Sequence, residues 1–156
     1  MCILNKTIAT VTDPTKSPHA QGSTNVYDAL GLMESKGRDI IGVECGEHFA
    51  GIFTRGDFTK YVLRQNLNPK DVLLYDVMQI DPPFVQSGTS IKDAYEAMLA
   101  YQWSFMPVLH GSKLYGIVSL HDLGQDIMSS YNQMQNENYL MLNYIQGGQN
   151  YSTANS

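Results

Sequence analysis

The sequence predicts an α/β fold built from two pseudo-symmetric copies of one unit, and three observations carry that expectation. Gly51-Ile52-Phe53-Thr54-Arg55-Gly56-Asp57 returns as Gly116-Ile117-Val118-Ser119-Leu120-His121-Asp122, an offset of 65 residues. The same offset carries Val26-Tyr27-Asp28-Ala29 onto Ile91-Lys92-Asp93-Ala94, Met33 onto Met98, Val43 onto Val108 and Gly46 onto Gly111, with no insertion between Thr24/Thr89 and Asp57/Asp122. Within each copy the apolar period changes from helical to extended and back, in the order helix, strand, strand, helix.

Taken along the chain, Ile3–Val11 reads as a short strand and Asp13–Ser23 as a Pro-, Gly- and Ser-containing loop. A helix follows over Val26–Lys36, with Val26, Ala29, Leu30 and Met33 on one face, Ser23 or Thr24 as its cap and Gly37 as its stop. Ile40–Glu44 and Phe49–Thr54 read as strands around the turn Cys45-Gly46-Glu47-His48. The second helix runs from Arg55 to about Gln65, with Phe58, Tyr61 and Val62 as its stripe. The connector Asn66–Gln86 contains an amphipathic piece, Val72–Met78, before Asp81-Pro82-Pro83 leads into a strand at Phe84–Gln86. The second copy repeats the program with helix Ile91–Tyr101, strands Met106–His110 and Leu114–Val118 around Gly111-Ser112, and a helix from Leu120. A three-stranded sheet per repeat accounts for the pattern.

Composition narrows the function. A chain of 156 residues with 43% hydrophobic and 16% charged residues supports a packed globule, and two halves of this size are expected to pack on each other. The net charge of −5, with no Lys/Arg run, disfavours nucleic acid or an anionic membrane as partner. Cys2 and Cys45 are too few for a disulfide framework. No secretory signal is visible at the start of the sequence, and no stretch reaches the roughly 18 apolar residues that a membrane span requires. The expectation is a soluble cytoplasmic protein.

The tail departs from the repeat. From Leu120 the helical pattern continues to about Ile145, where Gly147-Gly148 is expected to stop it, leaving Gln149–Ser156 frayed. Ile127, Tyr131, Met134, Asn138, Met141 and Ile145 fall at 4-3-4-3-4 spacing. Two readings of that stripe stand: it packs on the protein's own body, or it joins two subunits with Asn138 setting the register.

Thr54-x-x-Asp57 and Ser119-x-x-Asp122 each lie where a strand gives way to a helix. As structure, a hydroxyl followed by an acid at this spacing is a capping box. As chemistry, the same corner offers free amides to a phosphate, a hydroxyl donor, and a carboxylate that accepts from both hydroxyls of a ribose. Gly51 and Gly116 would let a ligand approach the backbone. Cys45-x-x-His48 lacks the second pair that would complete a metal site, His19 and His110 are isolated, and Trp103 is expected in core or interface. No Walker loop, nucleophile elbow or His-Glu-x-x-His helix is present.

On these residues each half resembles a cystathionine-β-synthase (CBS) motif, and the whole is similar to a tandem CBS pair, or Bateman module. The resemblance spans roughly residues 23–128. It rests on the helix openings Val26-Tyr27-Asp28-Ala29-Leu30 and Ile91-Lys92-Asp93-Ala94, on Met106-Pro107-Val108, and on both Gly-Ile-x-Thr/Ser-x-x-Asp signatures. The tail Leu142-Asn143-Tyr144-Ile145-Gln146-Gly147 also resembles that of small stand-alone bacterial CBS-pair proteins. The implied organisation is an N-terminal strand and loop (1–22), a first β-α-β-β-α motif (23–66), a linker (67–83), a second motif (84–128) and a long C-terminal helix with its tail (129–156).

What the resemblance implies is a regulatory module rather than an enzyme, binding an adenosine-containing ligand such as AMP, ADP or ATP in clefts between the repeats and associating as a homodimer. No cofactor or metal is required. Asp57 and Asp122 would hold ribose hydroxyls, Thr54 and Ser119 would meet phosphate or ribose, and Thr24 and Thr89 would stand at the cleft entrance. Backbone around Ile40-Ile41 and Met106-Pro107 would frame the adenine. Ligand-binding members similar to this chain carry Arg-His before the second-motif strand and Arg before the first-motif aspartate; here those places hold Ser104-Phe105 and Gly56. Arg55 and His121 are the substitutes available beside the signatures. AMP or an uncharged adenosyl group is therefore favoured over a polyphosphate. With no effector domain in view, the output is expected through a partner protein or through assembly. Two rival readings stand: a ligand-free homodimeric scaffold in which both aspartates only cap helices, and an enzyme such as a nucleotide hydrolase, for which no nucleophile, base or metal site is visible in the sequence.

Overall fold

The 65-residue echo becomes two sheets of like topology. The computed structural model describes the backbone of residues 3–154 and the side chains of residues 3–145. The first sheet contains β1 (His19–Gln21), β2 (Ile40–Cys45), β3 (His48–Thr54) and β4 (Gln79–Ile80), in that spatial order. The second contains β5 (Val85–Gln86), β6 (Phe105–His110) and β7 (Lys113–Ser119). In each sheet the first pair is parallel and the hairpin that follows is antiparallel. Even the irregularity recurs, between Val43 and Glu44 and again between Val108 and Leu109. The hairpins turn on Gly46 and Gly111 at φ of 63° and 66°, a left-handed backbone that glycine adopts without a Cβ clash.

The helices follow the apolar stripes. Helix α1 (Val26–Lys36) buries Val26, Ala29 and Met33, and α4 (Ile91–Tyr101) buries Ile91, Ala94 and Met98 at the equivalent positions. The caps lie one or two residues inside the expected place: Asn25, not Ser23 or Thr24, accepts from the Asp28 amide, and Ser90 does the same for Asp93. Gly37 ends α1 in the left-handed region, and Gln102 holds that conformation at the end of α4 with φ 55°. Helix α2 (Arg55–Phe58) gives way to a π-helical turn over Thr59–Leu63 rather than continuing as a regular α-helix to Gln65. Helix α3 (Leu74–Val77) is the amphipathic piece of the connector. Each repeat has its own apolar core, one around Phe53, Met33 and Leu74, the other around Met98, Met106 and Leu123. A third cluster of Ile40, Ile52 and Ile117, flanked by Trp103 and Leu114, joins the two.

Two local expectations are corrected. Ile3–Val11 is not a strand: Ile3–Asn5 and Ile8–Val11 are 3₁₀ turns. Part of the expected loop Asp13–Ser23 is the strand β1, paired parallel to β2, and Gln79–Ile80 of the connector adds β4 antiparallel to β3, so the first sheet has four strands rather than three. The first difference has a tertiary cause. The segment before each motif packs across the other repeat, where neighbours supply what its own sequence lacks. Ile8 is fully buried in the second core, its amide donating to Thr89 O at 2.7 Å, just as Leu74 is buried in the first with its amide on Thr24 O at 3.0 Å.

The glycines of the two signatures are corrected as well. A Cβ on Gly51 would stand 2.3 Å from Gln79 O, and one on Gly116 would stand 2.7 Å from Thr12 Cγ2. These glycines admit the protein's own chain, β4 against β3 and the Thr12–Ser17 stretch against β7, rather than a ligand. Ser17 completes the second contact, accepting from the Ile117 amide at 2.8 Å.

Helix α5 (Leu120–Ala154) does not stop at Gly147-Gly148. Leu123 is buried and Ile127 half-buried, but every described side chain from Tyr131 to Ile145 is exposed. The stripe therefore does not pack on the protein's own body beyond its first two turns. Gln149–Ser156, expected to fray, has no described side chains.

Candidate functional site

Two clefts open at the strand-to-helix corners, and each is lined by both repeats. The larger, of about 480 Å³, lies between Arg38 of the first repeat, Ile117 and Asp122 of the second, and the wall formed by Thr10–Lys16. The smaller, of about 220 Å³, lies between Ile40, Ile52 and Thr54 of the first repeat, Trp103 and Phe105 of the second, and Gln79. The internal offset relates their linings: Ile117 answers to Ile52 and Arg38 to Trp103. Equivalent places are thus charged in one cleft and aromatic in the other.

The two corners also spend their carboxylates differently. Asp57 is buried, and its Oδ2 accepts from the Thr54 amide at 3.0 Å, the Thr54 hydroxyl at 3.0 Å and Gln79 Nε2 at 2.9 Å. This is a complete capping box, with the Asp57 amide returning to Thr54 Oγ1 at 3.2 Å. At the second corner Ser119, itself buried, accepts from the Asp122 amide at 3.0 Å, but the Asp122 side chain turns outward. It is 41% exposed and meets Arg38 Nη2 at 2.7 Å, an ion pair that spans the two repeats. One corner therefore consumes its acid locally, while the other presents it to the larger cleft.

Burial pushes the Asp122 carboxyl up, but hydrogen bonds from Arg38 and Ser119 and the charges of Arg38 and His121 outweigh it and hold the group below the ordinary aspartate value. A carboxyl with a depressed folded pKa contributes stability above its unfolded pKa and loses it as pH falls through the folded one. Urea titrations from about pH 6 to about pH 3 should show wild type more stable than Asp122→Asn at the upper end, with the gap closing on acidification. A gap that stays constant across that range would contradict the ion pair.

Other expected site residues scatter. Ile41 and Met106 point into the separate cores, and Pro107 is buried in β6. Thr24 and Thr89 use their carbonyls to anchor the crossing segments. Arg55 pairs with Asp39 at 2.8 Å on the surface, and His121 is exposed and lines neither cleft. The cations that do reach the larger cleft are Arg38 and Lys16. Neither lies in a signature: Arg38 follows the helix stop Gly37 and Lys16 sits in the irregular N-terminal segment, so no spacing pointed to them. Among the described residues no group of three His, Cys, Asp or Glu side chains gathers to hold a metal ion, and no helix is long and apolar enough to cross a membrane.

Comparison with known proteins agrees with this architecture. Residues 74–128 match the family model described as CBS domain. A protein with CBS domains from Burkholderia ambifaria MC40-6 superposes with a TM-score of 0.68 at 27% identity, covering 80% of this chain and 95% of that one. The CBS-pair protein CBSX2 from Arabidopsis thaliana does so with a TM-score of 0.69 at 22% identity, covering 82% and 98%. The CBS domain-containing protein CBSCBSPB1 of Arabidopsis thaliana is 25% identical over 114 residues, which is 72% of this chain and 20% of that protein. The chain thus spans about a fifth of the length of that relative.

Proposed function

We propose that this chain, which is similar to small bacterial and archaeal CBS-pair proteins, is a tandem CBS-domain module with a regulatory role, and that it senses an adenine nucleotide of the AMP type in the Asp122 cleft. The observation that carries this reading is the unequal use of the two aspartates. Asp122 keeps acceptor capacity facing a cleft of about 480 Å³, within the usual range for small-molecule sites. A ribose diol donating to both carboxylate oxygens is the match for such a group, with the phosphate directed to Arg38 and Lys16.

The smaller cleft is read as scaffold. Asp57 already has its hydrogen-bond partners, and the lining offers no cation. Because the larger cleft joins the two repeats, a ligand there favours one packing of the halves over another, and that difference is what a partner protein or a second copy would detect. The exposed stripe on α5 from Tyr131 to Ile145 is the surface on which a homodimer would form.

Calorimetric titration with AMP, ADP, ATP and adenosine tests the reading. One bound AMP per chain, with weaker ATP, is the expected result. No heat with any of them would leave the ligand-free scaffold as the function.

A further inference from the structure

We propose that Arg38 selects the ligand of the Asp122 cleft by exchanging partners, so that the site takes a nucleoside 5′-monophosphate in preference to the free nucleoside. The inference rests on the nucleotide reading of that cleft and adds to it the residue that decides which ligand enters. In the structure Arg38 occupies one oxygen of the carboxylate that a ribose would need. Its Nη2 donates to Asp122 Oδ2 at 2.7 Å and its Nε to Lys16 O at 3.2 Å, and its side chain is only 15% exposed. A diol arriving at Asp122 competes with this internal cation.

The outcome of that competition depends on what else the ligand carries. A nucleoside without phosphate displaces Arg38 and leaves a largely buried guanidinium short of its counter-charge, which is costly. A nucleoside monophosphate supplies a replacement. The guanidinium has five N–H donors in a planar fork, and only two of them are engaged, so phosphate oxygens can be taken while Asp122 turns to the sugar. Charge balance then sets the number of phosphates. Asp13 and Asp126 share the rim with Lys16, so the cleft lining holds two cations and three carboxylates, and each further phosphate meets repulsion. The smaller cleft has Trp103 at the position of Arg38 and has no such device.

Calorimetry of wild type and Arg38→Gln with adenosine and with AMP gives the test. Arg38→Gln should weaken AMP by about tenfold, the scale of a lost charged hydrogen bond. The same change should leave adenosine unchanged or tighter, because its competitor for Asp122 is gone. Opposite responses are the signature; a residue that merely props the cleft open would move both ligands together by a similar factor, and that result overturns the proposal. Arg38→Lys keeps the charge without the fork and should retain part of the AMP preference. It carries the same comparison if Arg38→Gln fails to show a cooperative thermal transition. AMP binding with an unchanged AMP-to-adenosine ratio in the variants rejects the role of Arg38 alone. Absence of heat with both ligands in wild type rejects the nucleotide reading together with it.

Discussion

Replacing Asp122 by alanine is expected to lower AMP affinity by about 100-fold or more while the fold survives. The estimate follows from two charge-assisted hydrogen bonds between the carboxylate and a ribose diol, each worth about 1.5–3 kcal/mol when lost. The fold survives because Asp122 is partly exposed and Arg38, although it loses its counter-charge, keeps its Nε bond to Lys16 O, so the cost is that of one broken ion pair and not of the whole domain. Ser119 still accepts from the amide of residue 122, so the start of α5 keeps its cap. Asp57→Asn should behave in the opposite way. It strips the charge from the capping box and from the Gln79 contact, with a stability loss of about 1–2 kcal/mol, and leaves AMP affinity unaltered. Parallel calorimetry and urea unfolding of the two variants check both halves of this expectation. If Asp122→Ala binds AMP as wild type does, the ligand is not held at this corner.

Ile8→Ala is expected to cost about 2–5 kcal/mol of unfolding free energy, the range for emptying a buried aliphatic site. Ile8 is fully buried among Ile91, Met98 and Leu123, far along the chain from all three. Two backbone contacts fix the segment there, Ile8 N to Thr89 O at 2.7 Å and Ile91 N to Lys6 O at 2.8 Å. A loss of that size would be a large part of the stability of a domain this small. Because Thr10–Lys16 also forms one wall of the Asp122 cleft, AMP affinity should fall in the same variant. A change below about 0.5 kcal/mol, the level of an ordinary surface substitution, would show that the N-terminal segment is not part of the second core.

The internal echo was legible because it repeats local requirements. Helix stripes at Val26, Ala29 and Met33 and at Ile91, Ala94 and Met98 reach the same core positions, and the turn glycines 46 and 111 share one backbone conformation. The corner carboxylates were legible as a pair but not as unequal members of it. Thr54-x-x-Asp57 and Ser119-x-x-Asp122 have the same form, yet what each acid meets depends on Gln79 and Arg38, which come from elsewhere in the chain. The misread glycines show the same limit: a small residue signals a close approach without saying what approaches. Here it is backbone at Gly51 and side chains at Gly116.

The sequence by itself determined the duplicated α/β unit, its helices and hairpins, and the hydroxyl-and-acid corner in each copy, because period, caps and turn chemistry act over a few residues. Only the tertiary structure decided that residues 3–17 cover the second repeat, that α5 leaves its stripe exposed, and that Arg38 stands against Asp122. Those outcomes depend on contacts between distant segments, whose burial and charge pairing outweigh the weak local preferences of the residues involved.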